Sequence, residues 1–422
     1  MYYETAEKLL EFLKNSPSSF QAVDVMKRRF LTEGFTELKE QERWKLEKGG
    51  RYFVTRNRSA LIAFSIPEQE NRKFHITASH SDSPSLKIKE NPEMKVGDAY
   101  IKLNVEKYGG MLMAPWFDRP LSVAGHIVVK ENGQIQEKLV NLDRDLLMIP
   151  SLAIHMNREI NEGYQYNPQK DLLPLFGCAE EEGVFWEMIA KEAGVRKEEI
   201  LGHDLFLYNR VPGTIWGAGK EFLSAGRLDD LQCAFASMEG FLSGKRKNCI
   251  AVHCMLDNEE VGSSTKQGAA STFLRDTLLR INCGLGRDYE AYLMTLAGSF
   301  MISADNAHAV HPNYGEKADP VNRPVLNGGI VIKYNANQKY CTDAVSGAFF
   351  KELCSRAEVP YQTYVNRSDI PGGSTLGNIS NTQVAVNTVD IGLPQLAMHS
   401  PYETAGVKDT WYLCRALEEF YA

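Results

Sequence analysis

The chain lacks several things that would decide its class at once. Cysteine occurs eight times in 422 residues, but never as a C-x-x-C pair. Scattered thiols of this kind argue for free cysteines in a reducing compartment and against a disulfide framework. No apolar run approaches the ~20 residues needed to cross a bilayer, so no membrane partner is expected. No dense Lys/Arg block occurs either; "GKRKN" at 244–248 is short and reads as a solvated turn. With 47 basic and 54 acidic residues the net charge is −7, which argues against nucleic acid as a partner. The N-terminal "MYYETAEKLLEFLKNSPSSF" places acids early and lacks the basic-then-apolar order of an export signal. A cytoplasmic location is the expectation.

What is present is an ordinary globular composition, 43% apolar and 24% charged. At this length two to three domains are expected, or one large domain with an insertion. The runs "ALIAFSI" (60–66), "KFHITASH" (73–80), "CIAVHCML" (249–256) and "SFMISAD" (299–305) are short, apolar and bounded by turn residues, as buried strands are. They alternate with helical patterns, among them "DLQCAFASMEGFLSG" and "TDAVSGAFFKELCSRA". Such alternation predicts an α/β fold, a mostly parallel sheet covered by helices on both faces. Between 92 and 214 the texture changes. "AYIKLNVEKYGG", "LSVAGHIVVKENGQ" and "HDLFLYNRV" alternate apolar with polar residues, as hairpin-rich antiparallel sheet does. The expected organisation is therefore a catalytic α/β domain in two parts, 1–91 and 215–422, interrupted by a β-rich insertion at 92–214.

In an open α/β sheet, chemistry collects at the carboxyl ends of the strands. His80, Ser81 and Asp82 follow one strand; Asp257, Glu259 and Glu260 follow another; Asp305 follows a third. Asp229 and Asp230 open a helix, and His399 stands in a late loop. Taken singly, each has a bland reading as a loop residue or helix cap. Jointly, imidazole and carboxylate at five element ends suit divalent metal. Two histidines and three carboxylates can hold two ions ~3.5–4 Å apart if one carboxylate bridges them. Asp229 suits the bridge because it is short and starts a helix, whose N-terminal end tolerates a buried anion. In an extended segment residues i and i+2 point the same way, so Asp82 is placed to accept from the His80 ring. If the chain also stays extended past Leu256, Glu260 faces the metal and Glu259 the substrate, where it can move protons. His308 and His311 read as neighbours of the site at most, and His253 as core.

The motifs "TASHSDSPSLKIK", "GRLDDL", "LDNEEVGSST", "SADNAHAVHPNY" and "MHSPYET" together resemble the aspartyl aminopeptidase family of cocatalytic di-zinc metallopeptidases. The resemblance runs from "LLEFLKNSPSSFQAV" to the last helix. It implies His80 and Asp305 on one ion, Glu260 and His399 on the other, Asp229 between them and Glu259 as general base. Zinc is the expected metal, with cobalt and manganese also compatible. The resemblance further implies removal of N-terminal residues from peptides through a water shared by the two ions. An acidic residue is the favoured substrate N-terminus, with Lys333 meeting its side chain and Tyr340 its backbone. The insertion corresponds to a dimerisation domain. In it, "IPSLAIHMNRE" resembles the segment whose histidine, here His155, enters a neighbouring subunit's active site. Dimers assembled into a tetrahedral dodecamer are the implied partners. Two departures stand out: Gln21 replaces a family histidine, and "SDIPGGSTLGNIS" has two glycines in a loop that lines the pocket and varies among relatives. Preference for neutral or basic N-termini, amidohydrolysis of N-acylated small molecules, and an inactive metal-holding scaffold are the competing readings.

Overall fold

The computed structural model describes residues 1–69 and 73–422. The chain divides into two compact units. One comprises Met1–Asp82, Gly213–Met398 and Glu403–Ala422; the other comprises Ser83–Pro212 with His399–Tyr402.

The first unit is built on a nine-stranded sheet. Its centre is four parallel strands in the order Ile250–Leu256, Phe74–His80, Phe300–Ala304 and Asn387–Gly392. Antiparallel neighbours flank them, such as Ala60–Ser65 against Ile250–Leu256. The strands are apolar on both faces because helices cover both. Ala251 and Met255 point into one core with helix Leu228–Ser243 and helix Asp409–Phe420. Ile250, Val252, Cys254 and Leu256 point into the other, with helix Phe273–Gly284. Residues of period two thus serve opposite layers, as a two-sided sheet requires. Register brings Leu256 beside His80 and Ala304 beside Ile391, so four chain exits share one edge. A smaller five-stranded sheet in the same unit includes Phe222–Ala225 and Glu403–Gly406, with Ala225 paired to Glu403.

Helix Tyr289–Ala297 was not expected; only Tyr292 and Thr295 of its nine residues are buried, so no apolar stripe marks it.

The second unit is a six-stranded antiparallel sheet around its own core, which includes Leu103, Val123, Ile127, Phe185 and Leu205. Within "ENGQ", Asn132 and Gly133 form the two-residue hairpin loop between Leu121–Glu131 and Gln134–Asn141. Asn132 and Gly133 take φ of 51° and 80° there, the left-handed pair that matches strand twist. The unit begins at Ser83 rather than 92 because strand Ser85–Val96 pairs with Tyr100–Tyr108.

Candidate metal centre

The shared edge of the central strands concentrates acid in the first unit. His80, the last residue of its strand, is buried. Its Nδ1 faces the Asp82 carbonyl oxygen at 3.1 Å and the Asp82 carboxylate at 3.4 Å. A proton on Nδ1 satisfies these acceptors and leaves Nε2 as the ligand atom. Nε2 lies 3.5 Å from Asp229 Oδ1 and 3.8 Å from Asp305 Oδ1. Ligand-type atoms of His80, Asp229, Asp230 and Asp305 all fall within 4.8 Å of one another, as do those of His80, Glu259 and Glu260.

Asp229 and Asp230 stand at the start of Leu228–Ser243 in backbone that is not helical, φ/ψ of −81°/109° and −116°/17°, joined by a cis peptide bond. The expectation that Asp229 begins the helix is thereby sharpened. It precedes the regular turns, and both side chains reach the edge. The expectation of an extended chain past Leu256 is corrected. Asn258 is left-handed at φ 60°, and Glu259–Val261 forms one tight turn. Asn tolerates that conformation, and its Oδ1 is pinned by Thr265 Oγ1 and Gln267 Nε2, each at 2.8 Å. Glu259 and Glu260 are separated by this turn instead of by strand alternation.

Asp82 has a contact that residue spacing did not suggest. Its two carboxylate oxygens accept the main-chain N–H groups of Glu259 at 3.1 Å and Glu260 at 3.2 Å. Asp230, passed over in the sequence in favour of Asp229, is fully buried and accepts the His80 N–H at 3.0 Å. The doubled Asp in "GRLDDL" was the available signal.

Electrostatics follow from the crowding. The Glu259 carboxyl is raised to about 8, by burial first and by the charges of Asp305, Asp82 and Asp229, with His80 opposing them. Burial likewise raises Asp230 and Glu260 well above the carboxylate range, reinforced by Asp229. Burial would lower His80, yet Asp230, Asp229, Asp305 and Asp82 hold it well above its ordinary value. These carboxylates favour a compensating positive charge, whether protons or a dication. The donor set of imidazole nitrogen and several carboxylate oxygens fits zinc.

Lys333 is buried, with Nζ 3.7 Å from Asp305 Oδ2 and 5.5 Å from the centre of the Tyr340 ring. Burial acts to lower its pKa, but Asp305 and Tyr340 leave it raised. Tyr340 packs with Ala307, Val331 and Tyr364. Lys333 is thus not a solvated surface lysine. His399 has φ of +69°, and its carbonyl accepts the Leu112 N–H at 3.1 Å within the second unit. His155 is exposed in the second unit, beside exposed Leu152, Ile154 and Met156. His253 lies in the core of the first unit.

Comparison with known proteins bears on this edge directly. The profile of the family described as "Aminopeptidase I zinc metalloprotease (M18)" matches residues 12–421. The chain belongs to this family. It is 48% identical to "Probable M18 family aminopeptidase 2" of Clostridium acetobutylicum over 99% of this chain and 98% of that one. It is 41% identical to the protein of the same description in Pseudomonas aeruginosa, over 100% and 99%. Among solved structures, "Cryo-EM structure of the Ape4 and Nbr1 complex" contains a chain 35% identical with TM-score 0.96, covering 100% of this chain and 86% of that one. "Structure of S. cerevesiae mApe1 dodecamer" is 27% identical with TM-score 0.87, covering 100% and 97%. As an M18 member this chain is a metallo-aminopeptidase, and the resemblance drawn from its motifs holds at the level of family, fold and enzyme class. Among the described residues no helix is long and apolar enough to cross a membrane.

Proposed function

We propose that the enzyme removes the N-terminal residue from peptides at this edge, using two divalent ions, zinc first, with cobalt or manganese able to replace it. In this reading His80 and Asp305 would hold one ion, Glu260 and His399 the other, and Asp229 would serve both. The bound ions supply Lewis acidity toward the scissile carbonyl and make a nearby water more acidic. Glu259 takes the proton from the attacking water and delivers it to the departing amine. Asp82 keeps the His80 ring and the Glu259–Glu260 turn in place. The observation that carries the proposal is the meeting of His80, Asp229 and Asp305 with Glu259 and Glu260 at one strand edge of an M18 fold.

Preference for Asp or Glu at the substrate N-terminus is supported by Lys333, a buried ammonium beside the cluster. Tyr340 lies under that ammonium and is assigned to the substrate backbone. The second unit is proposed as the dimerisation domain. Its exposed Leu152, Ile154 and Met156 are available for a partner, and His155 between them is assigned to a neighbouring subunit's site, steadying negative charge on the substrate oxygen. Assembly into a tetrahedral dodecamer is supported by the dodecamer of the similar yeast protein. A cytoplasmic setting agrees with eight free cysteines.

A panel of aminoacyl amides, with each metal added back after chelation, tests the proposal. Hydrolysis of unblocked Asp and Glu amides restored by zinc is expected. Faster cleavage of N-acetylated substrates would instead favour the amidohydrolase. No hydrolysis with any ion would leave only the scaffold.

A further inference from the structure

The main-chain N–H groups of His80, Asp229, Glu259 and Glu260, four residues at the proposed metal centre, end on buried carboxylates, whereas that of Asp305 ends on the Ile391 carbonyl oxygen. Asp82 accepts from Glu259 and Glu260, and Asp230 from His80. A third case lies in "MHSPYET": Glu403 Oε2 accepts the Asp229 N–H at 3.0 Å. Asp82, Asp230 and Glu403 have exposures of 4%, 0% and 1%. Burying a carboxylate is costly, and a neutral oxygen can accept an N–H equally well in geometric terms. What the charge adds is strength, roughly twofold over a neutral pair. Three such acceptors come from three separate segments, and each grips the backbone of a residue whose side chain reaches the cluster.

Glu403 is the clearest of the three, because it is not in the ligand set and comes from a different sheet. It is held by strand pairing with Ala225, and its Oε1 lies 3.5 Å from Gln395 Nε2. Asp229 sits in non-helical backbone, so its N–H has no turn of helix to accept it. The Asp229 side chain is short, so the position of its backbone decides where its carboxylate lies.

Resting on the two-ion reading, we propose that Glu403, with Asp230 and Asp82, is a positioning residue of the metal centre: it fixes the backbone from which Asp229 reaches both ions. Asp230 is assigned to this layer and not to the ligands. The oxygens of these three residues set ligand spacing, while Glu259 remains the proton carrier.

The test measures zinc affinity of the metal-free enzyme by competition with a chromophoric chelator, alongside kcat and KM of the zinc-saturated enzyme. Glu403→Ala is expected to weaken zinc binding about 10- to 100-fold and to lower kcat more than KM changes. Glu403→Gln keeps an acceptor oxygen at the same reach but not the charge, and is expected to fall between the natural chain and Ala. Glu403→Asp keeps the charge but falls short of the Asp229 N–H, so it should resemble Ala. If Glu403→Ala does not fold, the Gln and Asp variants decide between them. A lower melting temperature with unchanged zinc affinity in the Ala or Asp variant makes Glu403 a packing residue and overturns the proposal. Gln as weak as Asp overturns it too. A natural chain that binds zinc but hydrolyses no unblocked amide sinks the peptidase reading alone; one that binds no zinc sinks both.

Discussion

His80 and His253 occupy adjacent parallel strands of one sheet, and both are buried. Their surroundings are opposite. His253 is mid-strand, paired with Thr77, with the rings of Phe30 and Phe241 about it at 5.9 and 6.0 Å. Burial alone acts on it and pushes it down to about 3. His80 is three residues further toward the carboxyl end than Thr77, where carboxylates gather, and it is raised. The strand interior selects for neutral groups, and the strand end accumulates charge that a metal can use. Distance along the strand, not residue type, separates the core histidine from the candidate ligand.

The strongest way to test the edge is to remove its proton carrier. Glu259→Gln should lower kcat by about 10²–10⁴. Zinc content, measured by elemental analysis, should stay near that of the natural chain. Loss of zinc along with activity would make Glu259 a ligand instead. Next in size is the buried ammonium of Lys333. Lys333→Met should reduce kcat/KM for acidic N-termini by about 10- to 100-fold, the scale of losing one buried charge pair. Neutral N-termini should change little, and a uniform loss would remove Lys333 from specificity.

A third effect concerns the metal-free protein. Glu259 and Asp257 are raised to about 8 and about 7, in both cases by burial first, with Asp82 among the contributing charges. The fold therefore favours their protonated forms. The stability they contribute is full below their unfolded values of about 4 and is lost as pH rises through about 7 to 8. Metal-free enzyme should melt lower at pH 8.5 than at pH 5.5, while zinc, replacing those protons, should flatten the trend. Equal slopes with and without zinc would show that these acids do not face the ion.

The smallest effect belongs to the interior. His75, stacked on Phe420 at 4.5 Å, is lowered to about 4, and His253 to about 3, both by burial. Their neutral forms stabilise the fold above about pH 6.5, and that stability is lost as pH falls toward those values. His253→Leu should shallow the acid limb of the melting curve and leave zinc binding untouched. A change in zinc affinity would break the division between interior and edge.

Sequence alone determined the family, the α/β alternation and the types of residue at the edge. Apolar runs of strand length and acids just after them are local properties, written in consecutive letters. The sheet order, the tight turn at Asn258, and the roles of Asp230 and Glu403 were decided by tertiary structure. An N–H from Asp229 reaching Glu403 joins residues 174 apart, and no periodicity reports such a pair. "GRLDDL" shows two aspartates without saying which holds metal and which holds His80. Likewise "GGIVIKYNANQKY" did not reveal that Lys333 is buried, because burial depends on what the other strands and helices bring to it. The physical reason is one of range: backbone propensity and alternation act over a few residues, whereas burial, charge compensation and hydrogen bonding are settled by whichever distant groups the completed sheet sets side by side.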